Sequence, residues 1–361
     1  MLSFTFNSDP PPRAASRDKW RRFFLLVVGT ASIGAALIYA FIALVDPFDS
    51  LPLSPTADRA PVATNARFSF PALARKPDFD SAIIGTSTSR LLRPAALDPV
   101  FGARFVNLAM NAATAYEQSR LLEVFARAHP RPLAVVVGLD LVWCTTGDRL
   151  ERYTPRPFPE WLYDDGRARD YLHLFNLYAL EQAAAQFAII TGLKSPHYGR
   201  DGYTSFVPPD SEYDPVRVAA HLRAEGIIVP PGPRTGAPAS WRFPALERLG
   251  RDLAHLPSAT TKLLFFVPYN HLLQPEPGPA ATAWRECKRR VADLATDLPN
   301  AIVADFMIPS PITSSDNNYW DGLHYRIGIA DRLAQDLALA TRGDSSRDYQ
   351  ILAPNPMRAE R

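Results

Sequence analysis

Cysteine is scarce: Cys144 and Cys287 are the two in 361 residues. That excludes a scaffold held by disulfides in place of a core, and the wide separation lacks the short spacing of a zinc site. From sequence the pair is either a bridge, which an exported domain would permit, or two separate buried thiols. Net charge is equally small, with 39 basic against 37 acidic residues and no block of like charges in the domain. Nucleic acid and other polyanions therefore have no electrostatic claim as partners. Apolar residues, at 47% against 21% charged, are ample for one globular core with a subdomain, which excludes a disordered chain.

Asp, Glu, Lys and Arg are absent from residues 23–45. At about 1.5 Å per residue this run crosses a hydrocarbon core of about 30 Å. A signal peptide would be shorter and carry a small-residue cleavage site, whereas here Asp46-Pro47-Phe48-Asp49 follows, so the run reads as one retained transmembrane helix. Arg13, Arg17, Lys19, Arg21 and Arg22 precede it, and Asp46, Asp49 and Asp58 follow. The positive-inside rule places residues 1–22 in the cytoplasm as a short tail and the large domain outside. Residues 46–76, rich in Pro, Ala, Ser and Thr over 46–72, read as a spacer lifting the domain off the surface, with order beginning near Pro77.

From there the chain alternates between two periods. Short apolar runs at 81–85, 104–107, 133–138, 262–267 and 301–305 predict five strands buried on both faces. Helical spacing at 116–128, 281–298 and 327–340 lies between or after them. This alternation defines an α/β domain over 77–342 with a five-stranded parallel sheet. Its ligand crevice would lie beyond the carboxyl ends of the strands, where both Ser87 and Asp140 fall. Residues 146–245 break the alternation with a helix at 172–190 and a Pro, Gly and Tyr-rich stretch. They read as an insertion, either a lid or recognition wall at the crevice or a subdomain packed elsewhere. The tail, 343–361, shows no apolar period and reads as flexible.

Two stretches carry the chemistry. Ile83-Ile84-Gly85-Thr86-Ser87-Thr88-Ser89 puts a serine just past the first strand, and Asp321-Gly322-Leu323-His324 puts a carboxylate and an imidazole three apart near the domain's end. A serine becomes a nucleophile when a base takes its proton, and the base needs a carboxylate to fix its tautomer. Taken separately, the hydroxyls are helix caps and Asp321-Gly322 a turn. Taken together on a sheet of this kind, Ser87, His324 and Asp321 form a candidate triad.

These residues resemble the SGNH or GDSL-like hydrolases over roughly residues 78–342. Gly85-Thr86-Ser87 is similar to that family's Gly-Asp-Ser block, with Thr for Asp, and Asp321-Gly322-Leu323-His324 to its Asp-x-x-His block. The stretch from Asn107 to Thr114 is similar to the second block, and Val137-Gly138-Leu139-Asp140 sits where the third is expected. The resemblance implies a flavodoxin-like three-layer α/β/α fold and esterase or acyltransferase chemistry without metal or cofactor. It implies attack by Ser87 on an acyl carbonyl, with His324 as base and Asp321 as its orienter. A single anchor with an exported domain is most similar to members that add or remove acyl groups on bacterial surface polysaccharides. On this reading the protein is a single-pass inner-membrane protein with a periplasmic domain, its partners an acylated glycan or small acyl ester and polysaccharide assembly proteins.

The resemblance also implies an oxyanion hole built from the Ser87 N–H, a second-block glycine N–H and a third-block Asn side chain. Here those last two positions are Ala112 and Asp140. An ionised carboxylate cannot donate a hydrogen bond, and losing one such donor typically costs about 10²- to 10³-fold in rate. A protonated Asp140, donation from Asn111, or a different third-block register would each restore a donor. The alternative is a catalytically inactive relative serving as a binding or scaffold component. Beyond the fourth strand, Asn270 and His271 are candidates for holding a polar substrate, against the plainer reading of loop residues. Of four tryptophans able to stack on a sugar (Trp143, Trp161, Trp241 and Trp320), Trp320 adjoins Asp321. Glu117 and Gln118 read as helix caps, and Arg326 and Asp331 as the solvated face of the last helix.

Overall fold

The computed structural model describes residues 13–52 and 59–353. Parts of the expected cytoplasmic tail (1–12), spacer (53–58) and C-terminal tail (354–361) lie outside the described residues.

The chain opens with α1 (Arg13–Val45), whose apolar side chains, among them Phe23, Leu26, Ile33 and Leu37, stand exposed. The helix is long and apolar enough to span a membrane. Then follow α2 (Ala66–Leu73), β1 (Ser81–Ile84), α3 (Ser87–Arg90), α4 (Pro94–Phe101), β2 (Phe105–Asn107), α5 (Ala115–Ala128) and β3 (Ala134–Leu139). After the insertion, which carries α6 (Leu177–Ile190) and α7 (Pro215–Ala224), come α8 (Pro244–Ala254) and β4 (Thr261–Phe266). The chain finishes with α9 (Pro279–Thr296), β5 (Ala301–Asp305), α10 (Ile327–Arg342) and β6 (Gln350–Ala353).

The six strands form one sheet in the order β2-β1-β3-β4-β5-β6. The first five are parallel, in registers such as Ile83↔Asn107 and Ile84↔Val137. Every residue of β3 and β5 is buried, as continuous apolar runs require when both sheet faces are covered. The five parallel strands lie within one residue of their predicted bounds. The expectation of a five-stranded sheet is corrected: β6, from the segment read as a flexible tail, pairs antiparallel with β5. Its attachment is invisible to periodicity because it rests on single anchors, buried Tyr349 and the Asp348 carboxylate held by Arg332 at Nη2 to Oδ1 2.7 Å.

The spacer is corrected as well. Phe48, Leu51, Val62 and Ala63 are buried, and α2 is an ordered helix begun by Asn65, whose side chain accepts the Arg67 N–H. Buried Asp46 accepts the N–H groups of Ser50 and Leu51 at 3.2 and 2.9 Å, and Arg59 bonds the Val45 carbonyl. The domain is thus strapped to the end of α1. The predicted 172–190 helix divides into a 3-10 turn, Arg167–His173, and α6, because Asn176 caps a new start by accepting the Ala179 N–H at 2.8 Å. Cys144, after β3, and Cys287, in α9, form a disulfide with 5.4 Å between Cα atoms.

Candidate active site

The strand order reverses between β1 and β3, since the chain leaves β1 for β2 on one side and returns to β3 on the other. Ligand crevices of open α/β sheets form at such a point, outside the carboxyl ends of the strands. Ser87 follows β1 there as the first residue of α3, so its N–H is among those with no acceptor inside the helix. Two glycines let α3 sit this close: a Cβ on Gly85 or on Gly138 would collide with the Ser89 side chain. Thr86 is the N-cap residue, yet it caps nothing with its side chain. Its hydroxyl donates instead to Asp140 Oδ2.

The facing element is the loop before α10. Asp321 Oδ1 accepts the backbone N–H groups of Leu323 and His324 at 2.9 and 2.7 Å, folding Asp-x-x-His into a turn. Oδ2 meets His324 Nδ1 at 2.7 Å, so one short turn fixes both carboxylate and ring. The opposite ring nitrogen, Nε2, lies 2.8 Å from Ser87 Oγ, across 237 residues of sequence. Burial alone would push the Asp321 carboxyl up, but the His324 hydrogen bond, the neighbouring imidazole and the two N–H groups outweigh it and hold the group below its usual range. An ionised Asp321 only accepts, so Nδ1 carries the imidazole proton and Nε2 is left to accept from the Ser87 hydroxyl. This is the arrangement of a serine activated by an oriented base.

Several residues without a chemical role in the sequence reading hold that arrangement. Tyr325 OH donates to the Thr88 carbonyl at 2.6 Å, linking the neighbour of His324 to the neighbour of Ser87. The Gly322 N–H donates to the Glu225 carboxylate at 3.1 Å, and a Cβ at Gly322 would collide with Leu273 and Glu225. Phe206 sets its ring edge-on to His324 with centroids 5.1 Å apart. The insertion therefore supplies part of the site's wall. Phe206 and Glu225 left no signal in the sequence, because each contact spans about a hundred residues and arises from tertiary packing.

The loop from Asn107 to Thr114 adjoins the turn that carries Ser87, with Met110 N–H donating to Gly85 O at 3.0 Å. Ala112 has φ +50°, a left-handed conformation that favours glycine. Arg67 and Arg156 donate to the Asn111 carbonyl at 3.4 and 2.8 Å, and Arg67 also to the Ala112 carbonyl at 3.3 Å. In a trans peptide the N–H points opposite to the C=O, so holding the Asn111 carbonyl turns the Ala112 N–H away from both arginines. Arg67 is itself fixed by a buried bidentate pair with Glu117, at 3.0 and 2.5 Å. Glu117 is a helix cap, as read, its Oε2 accepting the Thr114 N–H at 3.0 Å, and also the arginine's counter-ion. Arg67 lies in the segment read as spacer.

The remaining candidates divide. Asp140 is buried, which pushes its carboxyl up to about 6 against the hydrogen bonds from Thr86 and the Val142 N–H. The side-chain oxygen of Asn111 is buried without a partner. Asn270 is wholly buried: its N–H donates to the Gly322 carbonyl at 2.9 Å and its amide nitrogen to Asp316 at 3.1 Å, so it braces the Asp321–His324 loop from beneath. His271, partly exposed, lies 3.7 Å from Asp316. Trp320 donates its backbone N–H to the His324 carbonyl at 2.8 Å and packs edge-on against Tyr213 of the insertion. Arg326 and Asp331 are paired, with Asp210 and Arg93 respectively. A separate cavity of about 690 Å³, lined by Phe48, Phe68, Trp161, Tyr178, Arg156 and His173 among others, includes none of the three central residues.

No family model matches the chain, and no curated protein matches it in sequence.

Proposed function

We propose that this protein is an SGNH-like serine esterase or O-acyltransferase acting on an acyl ester of a cell-envelope or extracellular polysaccharide. The observation that carries the reading is the hydrogen-bonded series from Ser87 Oγ through His324 to Asp321. Ser87 attacks the acyl carbonyl while His324 Nε2 takes its proton, and Asp321 stabilises the imidazolium. Collapse of the tetrahedral intermediate breaks the ester bond, and His324 returns the proton to the leaving sugar oxygen. Water or a second sugar hydroxyl, deprotonated by the same imidazole, then releases the acyl group from Ser87. The Ser87 N–H and the Ala112 N–H, turned away from Arg67 and Arg156, are the donors for the oxyanion.

The order 2-1-3-4-5 of the parallel strands supports a flavodoxin-like three-layer arrangement, with β6 as an added antiparallel edge. The family's usual Asp and Asn correspond here to Thr86 and Asp140, which hydrogen-bond each other. The basic flank before α1 and the Cys144–Cys287 disulfide support a cytoplasmic N-terminus and a domain in the oxidising periplasm of a bacterial inner membrane. Phe206, Tyr213 and Glu225 support the insertion as a substrate-recognition wall.

Asp140 favours a second reading, a binding or scaffold component of a polysaccharide assembly complex, because its ionised carboxylate opposes a developing oxyanion. Labelling of the full-length, detergent-solubilised protein with a fluorophosphonate decides between them. A single adduct that Ser87→Ala and His324→Ala both abolish supports the enzyme, and screening of acylated glycans follows. A folded protein that takes no label supports the scaffold.

A further inference from the structure

Beside α1 the domain carries apolar side chains that stay largely exposed among the described residues. Leu172, Leu177 and Leu193 are 83%, 80% and 81% exposed, and Phe175, Phe187 and Ile190 are also exposed. They lie on the 3-10 turn, in the link from it to α6, on α6 and just after it, and the exposed positions of α6 (Leu177, Glu181, Ala184, Phe187 and Ile190) include one charge. So many exposed large apolar side chains along one helix and its flanks are uncommon on a soluble monomer and mark an interaction surface.

Its position identifies the occupant. Phe175 packs against Tyr39 of α1, with ring centroids 6.1 Å apart, and Phe187 against Phe41, at 5.9 Å. Tyr39 OH also donates to the Tyr171 carbonyl at 3.1 Å, and Arg167 donates to the Ser50 carbonyl at 2.8 Å. The face is thus joined to the last stretch of the spanning helix. Tyr39 lies six residues before Val45, about 9 Å along the axis. An uncharged run of residues 23–45 is slightly longer than a hydrocarbon core, so contacts at Tyr39 and Phe41 fall at its outer boundary. Amphipathic helices bury their apolar faces about 5–10 Å at that depth. Arg169, three residues before Leu172, and Lys194, next to Leu193, are exposed.

We propose that the 3-10 turn and α6 form a membrane-seating face, inserted in the headgroup and upper acyl region of the bilayer that α1 crosses. The domain then rests on the membrane in a fixed orientation. The proposal depends on α1 spanning the bilayer and is independent of the chemistry at Ser87.

Both native cysteines are in the disulfide, so an added thiol can be labelled selectively in the full-length protein. Leu177→Cys, Leu193→Cys, Ile33→Cys within α1 and Arg285→Cys on exposed α9 surface would each carry an environment-sensitive fluorophore. Each is reconstituted at one copy per nanodisc and, separately, at two, with and without lipids brominated on the acyl chains. Bromolipid quenching at 177 and 193 at least about twofold above that at 285, approaching that at 33, is the expected result for side chains at this depth. Quenching at 33 with none at 177 or 193 overturns the proposal while leaving the anchor intact. No quenching at 33 overturns the anchor and the proposal together. If 177 and 193 become shielded solely in discs holding two copies, the occupant is a second chain and the proposal falls.

Discussion

Tyr325 donates its hydroxyl to the Thr88 carbonyl at 2.6 Å, so the residue after His324 is bonded to the residue after Ser87. The ring is fully buried. The bond sets the distance between the loop before α10 and the short helix that carries the serine. Tyr325→Phe keeps the ring and removes the tie. A buried neutral hydrogen bond contributes about 1 kcal/mol to stability, so the fold survives. An error of about 1 Å at a reacting pair can cost roughly 10² in rate. Fluorophosphonate labelling is therefore expected to slow by about 10- to 100-fold with a small fall in Tm.

Asp140 predicts a pH dependence of its own. Burial raises its carboxyl to about 6, so between the unfolded value and about 6 the native chain holds a proton that the unfolded chain releases. Stability from this group is complete below about 4 and is lost as pH rises to about 6, by roughly 3 kcal/mol at 1.36 kcal/mol per unit. Asp140→Asn should flatten that part of the stability profile measured by denaturant unfolding. It should also raise the labelling rate above pH 7, where the wild-type carboxylate is ionised and the amide still donates. Equal rates for wild type and variant at pH 8 would show that Asp140 does not face the oxyanion.

The sheet and the hydrogen-bonded Ser87–His324–Asp321 series were legible for different reasons. Strands β1 to β5 are apolar runs buried on both faces, and Ser87, Asp321 and His324 sit in motifs whose spacing is local: a turn after a strand, and a carboxylate three residues before a ring. Arg67 was not legible. Its partner is 50 residues away, its own segment has the composition of a linker, and only the fold brings the Asn111 carbonyl to it. The same holds for Phe206, Glu225 and Tyr325, whose roles consist of contacts across 97 to 237 residues. Asn270 illustrates the converse: a polar residue after a strand suggested substrate binding, yet its amide is used to build the loop beneath the site.

The Arg67–Glu117 pair lends itself to a double-mutant cycle. Both side chains are buried, and removing one partner of such a pair typically costs about 3–5 kcal/mol because the other charge is left unpaired. Arg67→Met and Glu117→Gln should each lower the unfolding midpoint by that order. The double variant should be more stable than the sum of the two losses. Arg67→Met should additionally slow labelling, since the carbonyls of Asn111 and Ala112 lose a donor and the Ala112 N–H its orientation. Glu117→Gln, which keeps the arginine, should slow it less.

The C-terminal segment offers a direct test of whether β6 belongs to the domain. Ile351 pairs with Ala304 and Gln350 with Asp305, so β6 covers the outer edge of β5, which would otherwise present unpaired N–H and C=O groups. Tyr349 is buried beside Phe306, with ring centroids 5.0 Å apart. Truncating a buried aromatic to alanine typically costs about 3–5 kcal/mol, so Tyr349→Ala should lower stability by that order. Arg332→Ala removes the partner of Asp348, whose side chain is buried, and should weaken the same attachment. It should do so more above pH 6 than below it: Asp336, pushed up to about 6 by burial and by the adjoining Asp348, becomes charged there and adds its repulsion. Deletion from Gly343 onward should therefore yield a destabilised domain prone to edge-to-edge association. Thermal unfolding and light scattering of the full-length and shortened chains check this, and an unchanged Tm after the deletion would remove β6 from the folded unit.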